Sequence, residues 1–145
     1  MDFENESTDM EIDDMAINDI NQQMSYQEII RFFLKTQNQL RLLHWQTTSY
    51  AKHMAFGATY DSLDDLIDTF VEVFQGKYER IFLDDKSIQL NNINDDEING
   101  FVQESIQFIG TQLTSILSEQ DTDLLNIKDE MIAELNKLRY LLTLK

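Results

Sequence analysis

Cysteine and proline are absent from this chain, and only four of its 145 residues are glycine. Without cysteine, disulfides and thiolate metal sites are excluded, and the redox compartment is left open. Without proline, and with little glycine, nothing interrupts long helices. Basic residues are also scarce: 11 Lys and Arg stand against 27 Asp and Glu, a formal net charge of −16. Such a surface repels phosphate backbones and anionic membranes and attracts cations. Binding to bare nucleic acid is therefore not expected. No apolar run approaches a membrane span and no secretory leader is legible, so a cytoplasmic protein is expected.

Residues 1–24 hold eight acidic side chains and no basic ones. They read as an acidic N-terminal arm, flexible, with a charge suited to a basic protein surface. Ile12, Ala16, Ile20 and Met24 lie four apart, the spacing of a short docking helix within it. The sequence Ser25-Tyr26-Gln27-Glu28 fits a capping box, which places the start of the first core helix at Ser25. Tyr26, Ile30, Phe33, Gln37, Leu40 and His44 follow at helical spacing to about Gln46. The hydroxyls of Thr47, Thr48 and Ser49 mark a short turn and a new cap.

The second helix is expected over Tyr50–Leu83, with His53, Phe56, Tyr60, Leu63, Ile67, Phe70, Phe74, Tyr78 and Ile81 on one stripe. Asp61, Asp65, Asp68 and Glu72 stack along a second edge. Almost no Lys or Arg accompanies them, whereas a solvated helix face usually pairs its charges at i,i+4. A polar, asparagine-rich stretch over 84–95 then reads as a crossover anchored by Ile88, Leu90 and Ile93. A third helix is expected from about Asp96 to Ser118, on Ile98, Phe101, Ser105, Phe108, Gln112 and Ile116, with Val102, Ile109 and Leu113 beside them. A fourth runs through Leu124, Ile127, Met131, Leu135, Leu138 and Leu142. Two short connections and one long one suit an all-α, ferritin-like four-helix bundle over 25–145, with the crossover between its second and third helices.

The two histidines, His44 and His53, lie nine residues apart and are followed by Asp68 and Glu72. Two imidazoles and two carboxylates are a ligand set suited to iron. On one continuous helix His53 is about 22 Å from Asp68, at ~1.5 Å per residue. One chain cannot gather all four at one ion. Two chains packed antiparallel about a two-fold axis can, with the histidines of one facing the carboxylates of the other. A site in the bundle core of the usual di-iron kind is excluded, because Glu-x-x-His does not occur: Arg41 and Tyr50 stand three residues before the histidines.

The segment Leu43-His44-Trp45, His53-x-x-Phe56-x-x-x-Tyr60-Asp61 and Asp68-x-x-x-Glu72 resembles the Dps-like mini-ferritins. In their motif a His-Trp pair near the end of the first helix is followed by a second His at the start of the next. An Asp lies fifteen residues on and a Glu four after that. Asp121-x-Asp-Leu-Leu-x-Ile and Leu138-Arg-Tyr-Leu-Leu look like that family's last helix. The resemblance implies that His44 and His53 of one subunit bind ferrous iron with Asp68 and Glu72 of its two-fold mate. It places Trp45 beside the iron, taking up oxidising equivalents. It further implies oxidation by hydrogen peroxide or oxygen, and storage of ferric mineral in a homo-oligomeric, dodecameric shell. The family's DNA-binding members use lysine-rich arms; this arm is acidic, and DNA binding is not carried over. The alternative expectation is a non-catalytic structural or assembly protein: a shell, scaffold or virion component. A short turn between the histidines, and Gly57 where many members carry an acid, suit that alternative.

Overall fold

The structure is a computed structural model that describes residues 6–145, and the side chains of 14–145. It is all-helical, with no strand among the described residues. Helix α1 spans Glu6–Gln46, α2 Tyr50–Lys77, α3 Ile98–Phe108 and α4 Thr122–Leu141. A 3-10 turn, Asp95–Glu97, leads into α3, and a π-helical turn, Ile109–Leu113, continues it.

α1 has 41 residues and passes through Ser25 without a break. The expected helix start at Ser25 is thereby corrected: its hydroxyl donates to the Asn21 carbonyl four residues back, 3.1 Å, instead of capping. With no proline or glycine before it, the chain has nothing to stop the helix there. Of the proposed docking stripe, the Ile12 side chain lies outside the described residues; Ala16, Ile20 and Met24 are exposed. Within the core α1 buries Tyr26, Ile29, Phe33, Thr36, Gln39, Leu40 and Leu43. That face is centred about one residue away from the expected stripe, so Gln37 and His44 sit at its edge, half-buried beside α2.

Ser49 caps α2 as its position suggests, its hydroxyl accepting from the Lys52 amide at 3.3 Å. α2 ends at Lys77, short of the expected Leu83. Three contacts capture the chain at that point. Tyr78 turns its hydroxyl onto Asp121 at 2.5 Å, Lys77 reaches the same carboxylate at 2.7 Å, and the Ile81 amide donates to the Gln75 side chain at 3.0 Å. The third helical segment buries Ile98, Val102, Ser105, Ile109 and Leu113 while Gln112 is exposed. The face is centred on the residues expected beside the stripe, Val102, Ile109 and Leu113, with Phe101 and Phe108 at its edge.

The core is filled by Phe33, Phe56, Phe70 and Phe74 from α1 and α2, against Leu124, Met131, Leu135 and Leu138 of α4. Edge-to-face contacts join Phe33 to Phe70 (5.5 Å) and Tyr26 to Phe74 (4.9 Å), each worth about 0.5–1.5 kcal/mol beyond burial.

Residues 78–94 return along α1 in the direction α1 itself runs. Successive amide side chains hold them. Gln23 donates to Glu79 (2.6 Å), Gln27 to the Phe82 carbonyl (2.9 Å), and Gln46 to Asn92 (2.8 Å). Arg31 pairs with Asp84. Gln39, fully buried, donates to the Asn91 carbonyl (2.8 Å) and accepts from the Asn91 amide (3.0 Å), the two bonds a neighbouring strand would make. The connection thereby satisfies backbone groups that would otherwise face an apolar wall.

Two outcomes follow. Gln39→Leu leaves the Asn91 amide and carbonyl without partners, and the expected cost is about 1–3 kcal/mol, with faster hydrogen exchange confined to 84–94. Asp121 is buried at 3 % exposure and takes bonds from Lys77, Tyr78 and the Ser118 amide. The Lys77 ammonium, then the Tyr78 hydroxyl, hold its carboxyl down to about 2. A depressed carboxyl adds stability above its unfolded value, and that stability fades as pH falls from the usual carboxylate range toward about 2. Thermal unfolding of the native chain and of Asp121→Asn therefore differs most near neutrality and converges toward pH 2.

Candidate metal centre

The three residues 47–49 join α1 to α2, so the end of one helix lies against the start of the other. His44 is in the last turn of α1 and His53 in the first turn of α2. Their rings stack with centroids 3.8 Å apart and 17° between planes. Each bonds to the backbone of the other: His44 Nδ1 to the His53 carbonyl at 2.7 Å, His53 Nδ1 to the His44 carbonyl at 2.8 Å. A carbonyl only accepts, so the network assigns the proton of both neutral rings to Nδ1. The lone pair of each is then at Nε2. A ring nitrogen donating to a carbonyl while the other stays basic is the arrangement that orients metal-binding histidines.

Gly57 makes room for this pair. A Cβ built there would lie 2.9 Å from His44 Cε1 and 3.1 Å from its Nδ1. The glycine is needed for close approach of the ring to the helix backbone, with no special φ involved. Next to it a pocket of about 260 Å³ is lined by Arg41, His44, Trp45, Gly57, Tyr60 and Asp61. Trp45 is 69 % exposed and so is not a core aromatic. Arg41 donates to the Tyr60 hydroxyl, and its guanidinium lies 4.3 Å over the Tyr60 ring and 6.0 Å from the Trp45 ring.

Asp68 and Glu72 stand one turn apart on α2 and are exposed, as are Asp61 and Asp65. None of the four has a Lys or Arg partner among the described residues. Asp64, further round the helix, is tied to α1 by the Gln37 amide at 2.7 Å. The fold thus brings His44, His53 and Trp45 to one end of the α1–α2 face and leaves Asp68 and Glu72 farther down it. Among the described residues, no group of three or more His, Asp or Glu of one chain is placed to hold a metal ion.

Arg41, Gly57 and Tyr60 were not singled out as site residues by the sequence. The signal for Arg41 and Trp45 was their i,i+4 spacing; that Gly57 receives an imidazole is visible only once two helices are packed.

The chain belongs to the DUF5856 family, described as a family of unknown function. The family's pattern matches residues 44–142, so it begins at His44, takes in His53, Asp68 and Glu72, and leaves out nearly all of α1. No curated protein and no solved structure matches the chain.

Gly57→Ala tests the cradle. Alanine favours a helix interior by about 0.8–1 kcal/mol, so folding is expected to change by less than that, one effect opposing the other. The His44 ring is expected to move, read as a shift of its Cε1 proton resonance and loss of the protected Nδ1 proton.

Proposed function

We propose that the chain is a Dps-like mini-ferritin that oxidises ferrous iron between two subunits and stores the ferric product inside a homo-oligomeric shell in the cytoplasm. The observation that carries this reading is the reciprocal histidine bracket, which fixes both imidazoles with Nδ1 occupied and Nε2 free. Each ring thus presents an Nε2 lone pair oriented by its own Nδ1 bond, and a modest tilt of the stacked planes lets both meet one borderline divalent cation. The connectivity supports it as well: antiparallel α1 and α2, a long return along α1, then α3 and α4, as in a ferritin-like four-helix bundle with one crossover.

In this reading ferrous iron is the substrate. His44 and His53 of one subunit supply nitrogen donors. Asp68 and Glu72 of the two-fold mate supply oxygen donors that have no competing cation of their own. A carboxylate-rich set favours the ferric state, because the added positive charge is better neutralised by anionic oxygens. Hydrogen peroxide takes one electron from each of two ferrous ions, gains two protons and leaves as water; oxygen is the other oxidant of this class. Trp45, which is exposed and lines the same pocket as His44, gives up an electron in this reading when only one ferrous ion is bound. The acidic stripe draws cations toward the site. No DNA affinity is proposed. No helix among the described residues is long and apolar enough to cross a membrane.

A second reading is a non-catalytic shell, scaffold or virion component. Gly57 favours it: the place where many relatives of the resemblance carry an acid is filled by an imidazole against bare backbone. Exposed Ile17, Ile20 and Met24 on α1, together with the acidic arm, favour it also as a surface for a basic protein.

The purified protein is expected to oxidise Fe²⁺ faster than buffer, and His53→Ala with Asp68→Ala to abolish the excess, followed as ferric absorbance. Equal rates for the two proteins end the ferroxidase reading. Native mass with metal analysis separates the alternatives: an iron-holding, twelve-subunit particle supports the first, and a metal-free dimer or mixed assembly the second.

A further inference from the structure

The outward face of α1 and α2 is charged unevenly along its length. Near the 47–49 turn it carries Arg41, His44 and His53; beyond Tyr60 its charges are Asp61, Asp65, Asp68 and Glu72, all four exposed. A face with one cation and two nitrogen donors toward one end and four carboxylates toward the other is complementary to itself when turned end for end, which is what a two-fold interface requires.

Arg41 is the informative residue on this face. In a chain with 27 acids and 11 bases it has no carboxylate within ion-pair distance among the described residues. Tyr60 and Trp45 hold it instead, and a single N–H of its five is committed, to the Tyr60 hydroxyl. Asp61 lines the same pocket and is likewise unpaired. Stacking fixes the guanidinium plane and leaves its remaining donors free for a carboxylate approaching from outside.

The position of the axis follows from the ligand register. An antiparallel pairing that faces His53 with Asp68 has its two-fold axis midway between them, beside Tyr60 and Asp61. Arg41, bonded to Tyr60, lies at that level. We infer that Arg41 of each subunit binds Asp61 of the partner subunit across the axis, a pair of guanidinium–carboxylate clamps that sets the register of the metal-binding dimer. Trp45, Tyr50 and Met54, exposed at the histidine end, are covered in the same contact. The partner is a second copy of this chain. The inference rests on the two-fold pairing of the ferroxidase reading, and adds the residues that align it.

Charge reversal tests it. The concentration at which the full chain associates is measured by sedimentation at low salt, alongside Fe²⁺ oxidation. Arg41→Glu and Asp61→Arg are each expected to raise that concentration at least about tenfold. The double variant Arg41→Glu with Asp61→Arg restores it to within about threefold, because the opposite charges meet again. If Arg41→Glu fails to fold, judged by circular dichroism, Arg41→Gln replaces it, with a smaller loss expected. Unchanged association of the single variants, no recovery in the double variant, or a wild type that stays monomeric overturns the clamp. The two readings separate cleanly. Reciprocal rescue without iron oxidation keeps the clamp and ends the ferroxidase; iron oxidation by an assembly indifferent to these charges keeps the ferroxidase and ends the clamp.

Discussion

A turn of only three residues between α1 and α2 is the constraint from which the rest of the site descends. It forces the two helices to be antiparallel neighbours, and it brings the last turn of one level with the first turn of the other. His44 and His53 then meet because nine residues of chain, folded back on themselves, leave no other place for them. Each ring occupies a backbone carbonyl of the other helix, so a helix end that would leave carbonyls bare is closed by side chains. The same two bonds set the tautomers. Helix-end closure and ring tautomer are therefore set by one contact, and Gly57 is the vacancy that permits it.

The remainder of the fold fixes that corner in place without touching it. The phenylalanines of α1 and α2 pack on α4, and the buried Asp121 ties the far end of α2 to the turn before α4. A polar connection then runs the length of α1, held by glutamine amides where a strand or another helix would otherwise be. Gln39 substitutes for a strand's backbone; without it the connection would have two unsatisfied groups over an apolar surface. Most ties between α1 and this connection are uncharged amides, and the Arg31–Asp84 ion pair is added to them.

The α1–α2 face is set apart by what it leaves unpaired. Four carboxylates along α2 have no cation of their own, and Arg41 has no carboxylate. A surface of that kind either stays solvated or meets its complement, and a second copy turned end for end carries that complement. The family to which the chain belongs is one of unknown function.

Much of this was legible in residue order alone. Helical periodicity, the lack of strand patterning and the hydroxyl-rich turn at 47–49 determine an all-helical chain, the Ser49 cap and the acidic edge of α2. The register of His53, Asp68 and Glu72 determines that a single chain cannot bring those side chains to one point, since rise per residue is fixed. Periodicity failed where a local pattern competes with distant partners. Ser25 reads as a cap, yet nothing breaks the helix before it; Tyr78 and Ile81 continue the α2 stripe, yet Asp121, 43 residues away, draws the chain out of the helix. In the third helical segment two neighbouring apolar stripes compete, and packing on the other helices buries Val102, Ile109 and Leu113 while leaving Gln112 exposed. Tertiary structure alone decided that the histidines stack and exchange bonds, that Gly57 receives a ring, and that Arg41 is held by aromatic faces with its donors free. Those contacts depend on how two helices sit side by side, and spacing along one helix carries no record of the distance to its neighbour.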